Sequence, residues 1–367
     1  MKHDVQKVVV ALSGGVDSAV AAALLVEQGY DVTGVMLDLW KEPGILSDGS
    51  SAADDARRVA DTLRIPFRVV NCAEIFKTRV VDAFIADYAR GLTPNPCLTC
   101  NRTIKFGFLL ETAQSLGADF LATGHYARIR ECDGRYQLLQ GVDRAKDQSY
   151  VLYMLEQSQL RHILLPLGER TKPQVREVAA RLNLPVAQKA ESQEICFVGD
   201  ADYRRFLQTH APGTVRPGPI FDTAGRELGR HQGLPFYTIG QRRGLAVSWS
   251  EPLYVLDIDV VRNALIVGPA AQLGRSELRI CGVNYVDGTP PREPLPVSVK
   301  IRYKATGAAA MLCPETDTTV RIRLDAPLRD VTPGQGAVFY QGEAVVGGGI
   351  IVKEFSLASI HPQSDEP

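Results

Sequence analysis

Over roughly the first 120 residues, short apolar runs alternate with longer stretches in which apolar side chains recur at helical spacing. Lys7–Leu12, Val32–Leu39, Phe67–Val70 and Phe120–Thr123 read as strands. Ser18–Gln28, Ala52–Leu63, Glu74–Arg90 and Ile104–Leu116 read as helices, with Gly29 and Gly117 as stops. Strands separated by helices of this length need crossover connections, so the pattern predicts βαβ units and a parallel sheet.

After Gly124 the texture changes. Arg128–Arg130 and Tyr136–Leu139 flank Asp133-Gly134, which predicts a hairpin inserted at the sheet edge. Two more helix patterns follow, Tyr150–Glu156 and Pro173–Leu182; Thr171 stands as an N-cap for the second and Pro173 in its first turn. From about Val198 onward Gly and Pro are frequent and alternating runs dominate: Leu253–Val260, Ala264–Val267, Val297–Tyr303, Thr319–Leu324, Ala337–Gln341 and Ala344–Ile351. These predict a small β-rich connecting domain and then a β-barrel or sandwich. The expected divisions are 1–197, 198–268 and 269–360, with 361–367 a frayed tail.

Composition narrows the function classes. The 367 residues are 45% hydrophobic and 23% charged, enough apolar material for a core in each domain. No apolar stretch approaches the roughly 18 residues of a membrane span, and the short N-terminal run reads as a core strand rather than a secretory signal. The net charge of −1 gives no global positive field, so a nucleic-acid partner would need a local basic surface. Arg226, Arg230, His231, Arg242 and Arg243 are candidates for it; a solvated charged face explains them equally well. Seven scattered cysteines argue against a disulfide scaffold and for a reducing cytoplasm, where close cysteines are better read as chemistry.

Two motifs carry that chemistry. Ser13-Gly14-Gly15-Val16-Asp17-Ser18 joins the first strand to the first helix. Glycines let backbone approach an anion, and the helix start offers free N–H groups. Asp17 is a magnesium contact or a group orienting the loop. The turn is not a Walker A loop, because GxxxxGK[ST] is absent. The second motif is Cys97-Leu98-Thr99-Cys100, behind Thr93-Pro94-Asn95-Pro96 and near a helix start, a setting that lowers a thiol pKa. Half a zinc site and a thioredoxin-like pair are alternatives; the first lacks a second pair and the second lacks the right strand order. Cys196, in the polar segment Glu191–Phe197, is a third reactive candidate or a buried apolar cysteine.

SGGVDS closely resembles the loop of the PP-loop ATP pyrophosphatase family, which splits ATP and uses AMP to activate a substrate oxygen. With GLTPNPCLTCNRTIKF, ATGHYARI, ESQEICFV, FYTIGQRRGL and TPGQGAVFYQGEAVVGGGII, nearly the whole chain resembles the bacterial tRNA-specific 2-thiouridylases. The resemblance implies an α/β fold: an N-terminal parallel-sheet PP-loop (adenine nucleotide alpha hydrolase-like) domain, a central β-rich domain and a C-terminal β-barrel. It implies an enzyme that thiolates the wobble uridine of tRNA at C2, using ATP and magnesium. By similarity, Ala11, Leu12, Ser13, Gly14, Gly15, Val16, Asp17 and Ser18 hold ATP, with Met36 and Gly124 on the adenine side. Cys100 is the nucleophile and Cys196 carries a persulfide. Asn95, Pro96 and Cys97 face the target base. His125, Lys146, Asp147, Gln148, Arg302, Tyr303 and Gln341 contact tRNA. The implied partners are the anticodon arm of tRNA and a sulfur donor, such as a cysteine desulfurase or sulfur-relay protein.

Cys97 departs from the family pattern, in which many members carry aspartate. It is a second redox thiol, or it joins Cys100 and Cys196 around a [4Fe–4S] cluster with one open iron. Two rival functions remain: a PP-loop ligase or amidotransferase for a small molecule, which leaves the cysteines unexplained, and a non-catalytic RNA-binding module, which leaves the phosphate turn unexplained.

Overall fold

The computed structural model describes residues 5–43, 52–190, 195–199 and 202–353. The first strand, β1 (Lys7–Ala11), is apolar at every inner position, as a strand buried on both faces must be. It pairs in parallel with β2 (Asp31–Asp38) on one side and β4 (Phe120–Ala122) on the other; β3 (Phe67–Asn71) and, later in the chain, β7 (Ile163–Leu164) complete a parallel sheet ordered β3-β2-β1-β4-β7. On one face Val8 and Val10 pack against the helices Val16–Glu27 and Lys172–Arg181. On the other, Val9, Val35 and Leu121 meet Leu98, Phe106, Leu109 and the run Tyr150–Leu155. Each such buried Val or Leu contributes about 1.5–3 kcal/mol.

That run is not the expected helix. Tyr150, Val151, Leu152, Tyr153, Met154 and Leu155 are all buried, so no polar face is left for a surface helix, and only a 3₁₀ turn forms at Ser149–Leu152. The hairpin of β5 (Ala127–Cys132) and β6 (Arg135–Gln140) also differs from expectation. It does not extend the parallel sheet; Leu139 pairs instead with Ala344 of the C-terminal domain.

The central domain has β8 (Gly218–Asp222), β9 (Glu227–His231), β10 (Leu253–Asp259) and β11 (Ala264–Pro269) in the order β10-β11-β8-β9, around Ile220, Phe236, Val255 and Val267. It is preceded by a helix the sequence pattern missed, Tyr203–His210, which Asp202 caps by accepting from the Arg204 and Arg205 N–H groups. The helix docks Phe206 and Leu207 against Phe76, Phe84 and Phe197 of the first domain.

The last six strands, β12 (Arg275–Tyr285), β13 (Leu295–Lys300), β14 (Ala308–Thr316), β15 (Thr319–Leu328), β16 (Gly336–Gln341) and β17 (Ala344–Ile351), run antiparallel in the order β12-β15-β14-β13-β16-β17. Pairing of β17 back onto β12 closes them into a barrel. The tail 361–367 lies outside the described residues.

Candidate active site

In the sheet order, the chain leaves β1 towards β2 on one side and continues from β4 towards β7 on the other. The crevice between the carboxyl ends of β1 and β4 is therefore a topological switch point, where open α/β sheets bind ligands. Ser13–Ser18 occupies it. Gly14 has φ +72°, and a Cβ there would stand 2.5 Å from the Ala52 carbonyl oxygen. A Cβ on Gly124, just past β4, would meet the backbone of Asp17 and Ser18 at 2.8 Å. Only glycines let these three segments close on one another. Within the turn, Ser13 N–H donates to Ser18 Oγ (3.1 Å), and Ser18 Oγ donates to the Gly15 carbonyl (3.1 Å). The first N–H groups of the helix Val16–Glu27 have no intrahelical acceptor and point to the crevice end. Ala11 and Leu12 lead into the turn, and Met36 follows Val35, the β2 residue opposite Ala11.

Asp17 is held from both sides. Buried Lys172 donates to its two carboxylate oxygens (2.7 and 2.9 Å), and Tyr126 OH donates at 2.7 Å. The carboxylate thus orients the turn. Lys189, missed in the sequence reading, adds a donor to the Gly14 carbonyl (3.0 Å) and pairs with buried Asp55.

Cys97 sits in the first turn, and Cys100 one turn on, of a helix that starts at Pro96, earlier than the periodicity suggested, because proline fits the first helical position. The Asn95 side chain caps it by accepting from Cys97 N–H (3.1 Å). The helix then widens into a π segment over Asn101–Phe108, a distortion common at functional sites. Cys97 is exposed and Cys100 half-buried. Cys100 packs in the same aromatic cluster as Ile195, Phe197, Phe76 and Ile104, so the turn carrying Cys196 lies against it despite the distance in sequence. Glu191–Glu194, the rest of that motif, lie outside the described residues.

The thiols sense one another. Burial pushes Cys100 up, the Lys105 ammonium pulls it down, and Cys97 adds a smaller upward push. Cys196 is exposed as a residue, whereas protein crowds its sulfur; that burial, then Cys100 and Cys97, push its thiol up to about 12, against Lys105. Buried Cys72 is pushed up to about 11 by burial, Cys100 and Asp38. Lys105 is the cation common to Cys100, Cys196 and His125. Sequence reading missed Lys105, which lies in the π segment.

Among the described residues, no group of three or more His, Cys, Asp or Glu side chains could hold a metal ion. Cys97, Cys100 and Cys196 are neighbours, but as placed they do not form such a group. Asp17 presents no preassembled magnesium set either.

The positions expected at tRNA divide by burial. His125 is buried, bonded through Nδ1 to Thr123 Oγ1 (2.7 Å), and kept well below the usual imidazole range by burial and Lys105. Asp147 is buried, accepting from Gly141 N–H and from Ser149 N–H and Oγ. Gln148 accepts from Tyr126 N–H, and Arg302 donates to the Asp330 carbonyl and Thr332 Oγ1. Lys146 and Tyr303 are half-buried; Gln341 is exposed. Of these side chains, His125 shares the Lys105 ammonium with the thiols. His231 is buried too, its Nε2 facing the Asn263 carbonyl at 3.0 Å, so it offers phosphate nothing. Among the described residues, no helix is long and apolar enough to cross a membrane.

Comparison with known proteins agrees with this architecture. Residues 6–200 match the family model described as the tRNA methyl transferase HUP domain, 204–269 its PRC-barrel domain, and 275–351 the aminomethyltransferase beta-barrel domain. The tRNA-specific 2-thiouridylase MnmA of Moorella thermoacetica is 53% identical over 350 residues, covering 93% of this chain and 98% of that protein. That of Chloroflexus aurantiacus is 51% identical over 352 residues, covering 94% and 98%. A solved U34-tRNA thiolase, NcsA from Methanococcus maripaludis with its [4Fe–4S] cluster, shares 22% identity over 57% of this chain and 67% of its own; a TM-score of 0.35 is too slight to transfer the cluster. By full-length identity to these relatives and by all three domains in order, the chain belongs to the tRNA-specific 2-thiouridylase MnmA family.

Proposed function

We propose that the protein thiolates the wobble uridine of tRNA at C2 in an ATP-dependent reaction, with sulfur delivered from a cysteine persulfide. The observation that carries this reading is the packing of the Cys196 turn against Cys100, in the domain whose switch point holds the PP-loop. A small-molecule ligase would need the turn and not the thiols.

The backbone donors of Ser13–Ser18 cradle the triphosphate, and Gly124 and Met36 border the adenine. The uracil C2 oxygen attacks the α-phosphorus of ATP; pyrophosphate leaves and an O-adenylyl uridine forms. The C2 oxygen now departs as part of AMP instead of as oxide. Cys196 carries the persulfide Cys–S–SH. The Cys100 thiolate attacks its inner sulfur and frees the outer one as hydrosulfide beside C2. Hydrosulfide adds to C2, AMP leaves, and a Cys100–Cys196 disulfide remains for an external dithiol to reduce. Lys105 stabilises the thiolate of Cys100 and the charge that develops on the outer sulfur as it leaves Cys196. The wobble base lies in a single-stranded loop, so extruding it costs less than the few kcal/mol of flipping a paired base.

Cys100→Ser and Cys196→Ser should each abolish 2-thiouridine formation while leaving ATP binding within about twofold of the unaltered protein. Nucleoside mass analysis and nucleotide titration measure the two. Substantial thiolation by either variant would refute the assignment.

A further inference from the structure

The central domain carries a surface feature that neither ATP nor the thiols use. Trp249 is 41% exposed, and the guanidinium of Arg226 lies over its ring at 5.0 Å. Arg226 is held there: its Nε donates to Asp222 Oδ2 (2.7 Å), and Asp222 Oδ1 accepts from the N–H groups of Ala224 and Arg226 (2.9 Å each). The ring also borders an open groove of about 380 Å³ lined by Arg242, Leu245, Trp249, Glu251 and Leu253. Arg242 and the adjacent Arg243 are exposed, and neither guanidinium makes an ion pair with any described residue. The segment bearing the groove begins at Thr238, whose hydroxyl accepts from Thr93 Oγ1 (3.3 Å), four residues before Cys97.

An exposed indole with a fixed arginine above it and unpaired arginines beside it matches what single-stranded nucleic acid needs. A base finds a π-face on which to stack, and its phosphates find cations. A hydrophobic peptide would use the indole and gain nothing from the arginines. Glu251 repels phosphate at one edge, which places the backbone on the Arg242 side. We propose that Trp249, Arg226 and Arg242 form a stacking platform for an unpaired nucleotide of the RNA substrate, on a segment tied to the Thr93–Cys97 stretch by the Thr93–Thr238 hydrogen bond. The proposal rests on the tRNA reading above and adds a second point of contact with the loop.

The protein has two tryptophans, so Trp40→Phe leaves Trp249 as the reporter. In that variant, an anticodon stem–loop RNA should quench the fluorescence saturably, and the same RNA with abasic unpaired positions should not. Trp249→Ala should raise the Kd for the intact stem–loop about tenfold or more, as loss of one base–aromatic stack predicts. It should raise the Kd for the abasic RNA less than twofold. Arg242→Ala should weaken both RNAs and lower the salt slope by about one. Circular dichroism of each variant confirms folding. Absence of quenching, with Kd for the intact RNA unchanged in Trp249→Ala, would overturn the platform, as would equal loss for intact and abasic RNA. Thiolation of full-length tRNA by the unaltered protein, run in parallel, separates failure of the platform from failure of the enzymatic reading.

Discussion

Lys105 is the residue whose contribution is least expected from the sequence and most exposed to test. Its ammonium opposes the burial that raises Cys100 and Cys196. Replacing it with methionine removes that opposition, so the Cys100 pKa should rise. At pH 8 the thiolate fraction, and with it the rate of Cys100 alkylation by iodoacetamide, should fall about threefold or more, with the pH profile displaced upward. An unchanged profile would show that the cation does not act on the thiol. At this scale the sequence singled out candidate chemical groups, but not how the fold engages them. The glycines, serines and cysteines of the two motifs stood out because few residue types meet those demands. His125, Asp147, Gln148 and Arg302, which the resemblance places at tRNA, each also hydrogen-bond within the chain. Nothing local in a sequence tells a polar side chain that meets solvent from one that satisfies a distant backbone group.

Among elements, the PP-loop is the most tightly determined. Gly14 combines a left-handed backbone with contact to Ala52. Gly14→Ala should cost about 1–3 kcal/mol of strain and weaken ATP binding at least tenfold, as read by thermal unfolding and nucleotide titration. An alanine variant with both unchanged would mean that the turn is looser than described. Periodicity located four of the five parallel strands and most helices, whose apolar runs are long enough to show; it missed β7, two residues long. It failed at Tyr150–Leu155, where every side chain is buried and burial has no period. It also gave no reason for the glycine run in Ala344–Ile351. There a Cβ on Gly348 would stand 2.8 Å from the Tyr153 ring, so the glycine lets the barrel wall lie flat on the first domain.

The whole molecule is held together by contacts that cross its domains. The hairpin β5–β6 joins the barrel at Ala344. Asn284 of the barrel donates to the Tyr153 and Leu155 carbonyls (2.8 and 3.1 Å). Glu42 of the first domain binds Arg205 (2.6 and 2.7 Å) and His210 (3.0 Å) on the helix that opens the central domain. Hydrogen bonding from Arg205, outweighing burial and helped by His210, keeps the Glu42 carboxyl below its ordinary value of 4.5. A depressed carboxylate stabilises the fold above its unfolded pKa and loses that contribution as pH falls through the folded value. Glu42→Gln should therefore cost about 2–3 kcal/mol at pH 7, less than a fully buried pair because Arg205 is partly exposed. Urea unfolding should show that difference persisting at pH 4.5 and vanishing only at lower pH. A difference constant with pH would remove the ion pair from the account. Long-range joins of this kind were not legible in the sequence, since each partner reads locally as an ordinary surface charge.

The central claim is that ATP activates the uracil oxygen that sulfur replaces. It is tested most directly with tRNA carrying ¹⁸O at C2 of the wobble uridine, supplied with ATP and a persulfide donor. 2-Thiouridine should appear in the tRNA, with one ¹⁸O in the phosphate of the AMP released. Formation of 2-thiouridine with AMP that carries no ¹⁸O would contradict it.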